Sequence, residues 1–140
     1  MCRAPWLAFD PPIPCYTLSE LGSDNPDNLY QSATIDSRLK YVVRGERGTV
    51  RYLGFGTQSG QYGAAGGLQT VDYVQAEALA YDDGTSDRFS ITLSAERGDT
   101  VGNWLRLAPD VSPAAMFIVR QVLPLLPLLP LRRRCSSCGR

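Results

Sequence analysis

"FSITLSAE", residues 89–96, decides the fold. Phe89, Ile91, Leu93 and Ala95 fall on one side of an extended chain, and Ser90, Thr92, Ser94 and Glu96 fall on the other. Alternation of this kind marks a strand with one buried and one wet face. "LKYVVRG" (39–45) sets Leu39, Tyr41 and Val43 against Lys40, Val42 and Arg44. "AAMFIVRQV" (114–122) is apolar on both faces except at Arg120, as a central strand demands.

The connectors read as hairpins. "RGERG" (44–48) supplies Gly45 and Gly48 for positive φ, and "DDGTSD" (82–87) joins "AEALAY" to "RFSITL". Pattern and turn signals give about seven strands, at 28–35, 39–45, 49–57, 74–81, 88–96, 103–107 and 114–122. Val71, Val74, Ala78 and Leu79 also fit a helical period, but the hairpin after 81 needs a partner strand. The spacing is that of an all-β, antiparallel sandwich or barrel.

The ends differ. Pro5, Pro11, Pro12 and Pro14 make residues 1–22 an irregular arm. Residues 23–122 form the domain. Residues 123–140, "LPLLPLLPLRRRCSSCGR", carry prolines that deny both helix and ladder, so a disordered tail is expected.

At 140 residues the chain is long enough for one domain with a real core. Its 14 basic and 14 acidic residues cancel, so no global field draws nucleic acid or an anionic membrane. Histidine is absent, which removes a Ser-His-Asp or Cys-His triad and a His-ligated metal. Cys2, Cys15, Cys135 and Cys138 all lie near the ends, and no signal peptide is in view, so no disulfide framework is expected. A cytoplasmic location is the expectation from that absence, with the cell envelope as the alternative. "CSSC" (135–138) lacks a well-spaced second pair for zinc and a following helix for redox work. No cofactor is expected.

"SDNPDNLYQSATID" (23–36) packs Asp24, Asn25, Asp27 and Asn28 around Pro26. The proline breaks the ligand spacing of a calcium loop, so an Asx-Pro turn aiming the chain into the first strand is the plainer reading. "GFGTQSGQYGAAGG" (54–67) lacks the lysine and helix of a phosphate loop and reads as a long loop over one end of the sandwich. Such loops bind ligands often, and Gln58, Gln61 and Tyr62 give this one polar and aromatic handles. Asn103 and Trp104 complete the candidate contact set, although a Trp beside Leu105 and Leu107 ordinarily packs in a core or at a sheet edge. "RGD" (97–99) reads as a hairpin connector. Residues 114–131 are at the low limit for a membrane span and contain Arg120, Gln121 and prolines, so a buried strand is preferred. Arg120 must reach solvent or find a carboxylate there.

"DNPDNLYQSATID", "YVVRGERGTVRYLGFGTQ", "FSITLSAE", "GNWLRLAPD" and "FIVRQ", in that order, resemble an uncharacterised bacterial domain of the DUF1214 type. It is found at the C-terminal end of two-domain proteins of unknown function and in actinobacterial proteins. The resemblance implies a jelly-roll-like β-sandwich and no established activity. Arg106 stands where relatives tend to have proline, and the chain after Gln121 departs from their ending, as in a truncated or frame-shifted member.

The leading expectation is a non-catalytic binding or accessory module that meets a sugar, lipid or protein through its loop end, chiefly 56–67. The alternative is an enzyme domain in which Asp24, Asp27, Tyr30 and Arg120 converge. A structural domain of a larger envelope protein is the third.

Overall fold

The computed structural model describes residues 6–13, 16–18, 28–61, 63, 65–84 and 87–122. In chain order its strands are β1 (Trp6–Asp10), β2 (Tyr16–Leu18), β3 (Asn28–Asp36), β4 (Tyr41–Glu46), β5 (Tyr52–Ser59), β6 (Gln69–Gln75), β7 (Arg88–Ser94), β8 (Asn103–Arg106) and β9 (Ala114–Val122). Phe89, Ile91 and Leu93 of β7 are all buried, while Ser90 and Thr92 between them are half-exposed. The strand therefore presents the apolar face that its alternation demands.

Two sheets result, in the orders β1-β4-β7-β8 and β2-β3-β9-β5-β6. Partners nest: β5 pairs with β6, β4 with β7, and β3 with β9, falling in the larger, smaller and larger sheet in turn. A long hairpin wrapped around itself gives this nesting, and it is the winding of a jelly-roll sandwich. The pairings are antiparallel except β7 with β8, which run parallel. β9 is central, hydrogen-bonded to β3 on one side and β5 on the other, as its two apolar faces require.

The inner faces meet along a line of aromatic rings. Phe9 packs on Phe117, Phe117 stacks on Phe55, Phe55 tilts against Phe89, and Phe89 meets Tyr81 edge-on. Leu53, Val43, Ile91, Leu105 and Val119 fill the space around them. At one side the layers are stitched: Thr57 Oγ1 donates to the Arg106 carbonyl, and the Arg106 N–H donates to Asp72 Oδ2. At the other side a shallow apolar hollow lined by Leu7, Phe9, Phe117 and Val119 separates β1 from β3.

Gln121 is the largest of the buried polar side chains. It is 1% exposed, lies in register with Leu29 and Leu53, and its Oε1 has no hydrogen-bond partner. An orphaned buried acceptor carries its full desolvation cost. Gln121→Met keeps the volume and removes the orphan. It is expected to raise stability by about 1 kcal/mol, read as a higher urea midpoint at unchanged m-value.

Several expectations are corrected. Residues 1–22 are not wholly irregular, because β1 and β2 lie within them. Pro11 and Pro12 follow β1, and both strands are sheet edges, where proline nearby does no harm. The strand expected at 74–81 is displaced to Gln69–Gln75. Beyond it Ala76–Ala78 forms a 3-10 turn that buries Ala76, and Tyr81 makes a single bridge to Phe89. "RGERG" is a crossover rather than a hairpin, since β4 and β5 belong to different sheets. "RGD" lies in the return between the parallel β7 and β8 and is likewise no hairpin. The long loop after Gly54 is shorter than expected, because β5 runs on to Ser59. Residues 114–122 are a sheet strand, and no helix among the described residues is long and apolar enough to cross a membrane. The Asx-Pro turn at 23–27 and the "CSSC" end lie outside the described residues.

Candidate functional site

The outer face of the five-stranded sheet gathers an arginine and three tyrosines from four adjacent strands. Tyr30 on β3 stands directly across from Arg120 on β9, and Arg120 stands across from Gly54 on β5. The guanidinium carbon lies 5.9 Å from the centre of the Tyr30 ring and 5.8 Å from that of Tyr52. Arg120 is thus exposed and held between two π faces, a placement that favours a cation. Of the two outcomes expected for it, solvent or a carboxylate, Arg120 reaches solvent, with tyrosine rings beside it.

Glycine makes room for the third ring. Tyr73 on β6 lies across Gly54 and Gly56. A Cβ at Gly54 would collide with Tyr73 Oη and lie 2.9 Å from Tyr52 Oη, and one at Gly56 would lie 3.3 Å from Tyr73 Cδ2. The Tyr52 and Tyr73 hydroxyls hydrogen-bond to each other. Burial pushes the Tyr73 phenol up from its ordinary pKa. Its bond to Tyr52 adds to the shift, and the Arg120 charge opposes it. Protonated at neutral pH, the phenol can donate or accept a hydrogen bond. Arg51, Tyr52, Arg120 and Val122 line an open hollow at the margin of this cluster.

Of the residues singled out from sequence, Tyr30 and Arg120 are brought together here. Asp24 and Asp27 lie outside the described residues, so the four-residue convergence is not on view. Gln58 shares the outer face with Gly54, four residues along β5 or roughly 13 Å away, and its Oε1 is buried without a hydrogen-bond partner. Gln61 is exposed in the turn after β5, and Tyr62 lies outside the described residues. Asn103 and Trp104 are on β8, at the far edge of the other sheet. Asn103 Oδ1 accepts from the Ala80 N–H, and its Nδ2 donates to the carbonyls of Ala80 and Ser90. Trp104 Nε1 donates to Ser94 Oγ. Both side chains are tied to the scaffold. No group of three or more His, Cys, Asp and Glu that could hold a metal exists among the described residues.

A fork of hydrogen bonds closes the turn after β3. The Arg38 backbone N–H and Nε donate to Asp36 Oδ1, and Nη2 donates to Oδ2 at 2.6 Å. These bonds hold the Asp36 carboxyl at about 2, below its ordinary 3.8. Because the folded pKa is depressed, the pair's contribution is present above pH 3.8 and is lost as pH falls toward about 2. The Asp36 carboxyl carbon should titrate by NMR near 2, and in Arg38→Gln its midpoint should return toward 3.8.

No family model matches the chain, and no curated protein matches it. Among solved structures it is similar to the crystal structure of an uncharacterized protein from Burkholderia cenocepacia, at 35% identity and a TM-score of 0.65. The match covers 87% of this chain and 31% of the other, so the chain spans about a third of that protein's length.

Proposed function

We propose that this chain is a non-catalytic binding module whose ligand docks on the outer face of the five-stranded sheet. The observation that carries the reading is the row Tyr30–Arg120–Gly54 with Tyr52 and Tyr73 closed over it, an exposed set of aromatic and hydrogen-bonding groups fixed on paired strands. Groups on paired strands are held more tightly than groups on loops, and tyrosine offers large contact area at low entropic cost. This moves the docking surface from the loop end at 56–67 to the sheet face. The assignment to the DUF1214 type is part of the same proposal and rests on the resemblance of the sequence from Asp24 to Gln121.

The test is a heteronuclear NMR titration with a panel of soluble oligosaccharides, on the wild type and on Gly54→Ala. Shifts should concentrate at Tyr30, Tyr52, Tyr73 and Arg120. Gly54→Ala should lower affinity about tenfold or more, because its Cβ drives Tyr73 off the face, while costing less than about 2 kcal/mol of stability since that ring can swing into solvent. Shifts concentrated at the 60–68 turn, or none at all, would overturn the reading.

A further inference from the structure

Arginine pairing singles out one part of this face. Arg38, Arg44, Arg47, Arg88 and Arg106 each lie within ion-pair distance of a carboxylate. Arg51, Arg97 and Arg120 have no such partner among the described residues; Arg97 lies in the return between β7 and β8 of the other sheet, while Arg120 and Arg51 share one hollow. Two guanidiniums without a carboxylate between them form a local excess of positive charge on a chain whose net charge is zero. The Arg120 guanidinium carbon lies over the Tyr30 and Tyr52 rings, 5.9 and 5.8 Å from their centres, and the residue is exposed, so its N–H groups can meet a ligand. A guanidinium edge matches a planar oxyanion with two parallel hydrogen bonds.

Resting on the binding-module reading above, we infer that this hollow takes the carboxylate of an acidic sugar, held by Arg120 and Arg51, while the sugar ring packs its C–H face on tyrosine. Three features favour a uronate-bearing glycan over other polyanions. β9 and β5 have their backbone groups consumed by neighbouring strands, so an added peptide strand finds no main-chain partners at this spot. Two guanidiniums fall well short of the row of phosphate contacts that nucleic acid affinity needs. Tyr73 is 44% exposed on an open surface and offers a stacking platform next to the charge, with hydroxyls alongside it.

The experiment titrates the full chain with a galacturonic acid tetramer, with its fully methyl-esterified counterpart, and with inorganic phosphate, followed by calorimetry and NMR. The uronate tetramer should bind with shifts at Tyr30, Tyr52, Tyr73 and Arg120. The methyl ester should bind at least tenfold more weakly, as should the acid tetramer to Arg120→Gln and to Arg51→Gln, and the acid's affinity should fall with added salt. Both positions are exposed, so these variants fold as the wild type does. Equal binding of acid and ester would overturn the acidic-sugar inference and leave the binding face standing. Tighter binding of phosphate than of the tetramer would overturn it in favour of a phosphate ligand. No binding of any probe at millimolar concentration would overturn the inference, while shifts from another glycan of the panel on the same residues would preserve the broader reading.

Discussion

Phe55→Ala is expected to remove about 3–5 kcal/mol of folding free energy, the range for truncating a buried phenylalanine. A domain of this size holds about 5–15 kcal/mol in all, so the variant should be marginal or unfolded at 25 °C. The expected loss sits at the top of the scale because of where the ring lies. Phe55 is 0% exposed, with Phe89 of the opposite sheet 5.1 Å away on one side and Phe117 of its own sheet 6.0 Å away on the other. It is the middle link of the line that runs from Phe9 to Tyr81. Its removal leaves a cavity bounded by two rings that are themselves pinned by further rings, so collapse is poor and the cavity cost stays high. Urea unfolding followed by near-UV circular dichroism measures it. A loss below about 1.5 kcal/mol would show that the two sheets are not held together through this ring. Tyr73→Ala on the outer face should change stability by less than about 1 kcal/mol in the same assay.

The elements that were legible in the sequence are those in which side-chain polarity tracks the pleat. β7 alternates from Phe89 to Leu93 and β9 is apolar except at Arg120 and Gln121; β9 forms over the expected residues, and β7 forms from Arg88 but stops at Ser94, two residues early. β1 and β2 were obscured because proline dominates their neighbourhood, although the prolines fall between the strands and at sheet edges. β6 was shifted because its pattern is contaminated at both faces. Asp72 is polar yet reaches the Arg106 backbone, and Tyr73 is aromatic yet faces outward. The site was harder still. Tyr30, Tyr52, Tyr73 and Arg120 come from four separate segments, and only strand register unites them. A local trace existed in Tyr52-x-Gly54-x-Gly56. Two glycines on alternate positions of a strand clear one face for something that must lie close to the backbone. Asn103 and Trp104 attracted notice for the opposite reason, since a conspicuous side chain can serve the scaffold as readily as a ligand.

Asn103→Ala separates those two roles. The Asn103 amide grips the Ala80 backbone through both its N–H and its carbonyl, at 2.8 and 2.7 Å, and reaches the Ser90 carbonyl at 3.0 Å. It thereby fastens the segment after the 3-10 turn, whose Ala76 and Leu79 are buried, to the edge formed by β7 and β8. Each bond contributes about 1 kcal/mol net, and the half-exposed setting lets water replace part of what is lost, so the variant should lose about 2 kcal/mol. Amide hydrogen exchange should sharpen the picture: protection at Ala80 and Tyr81 should fall more than protection in β9, because the damage is to one segment's attachment. Ligand shifts at Tyr30, Tyr52 and Arg120 should persist unchanged in the variant, since β8 is an edge strand of the other sheet. Loss of ligand binding at full stability would reverse the assignment and place Asn103 in a binding surface, because a residue whose amide is committed to the backbone cannot be removed without a cost to folding.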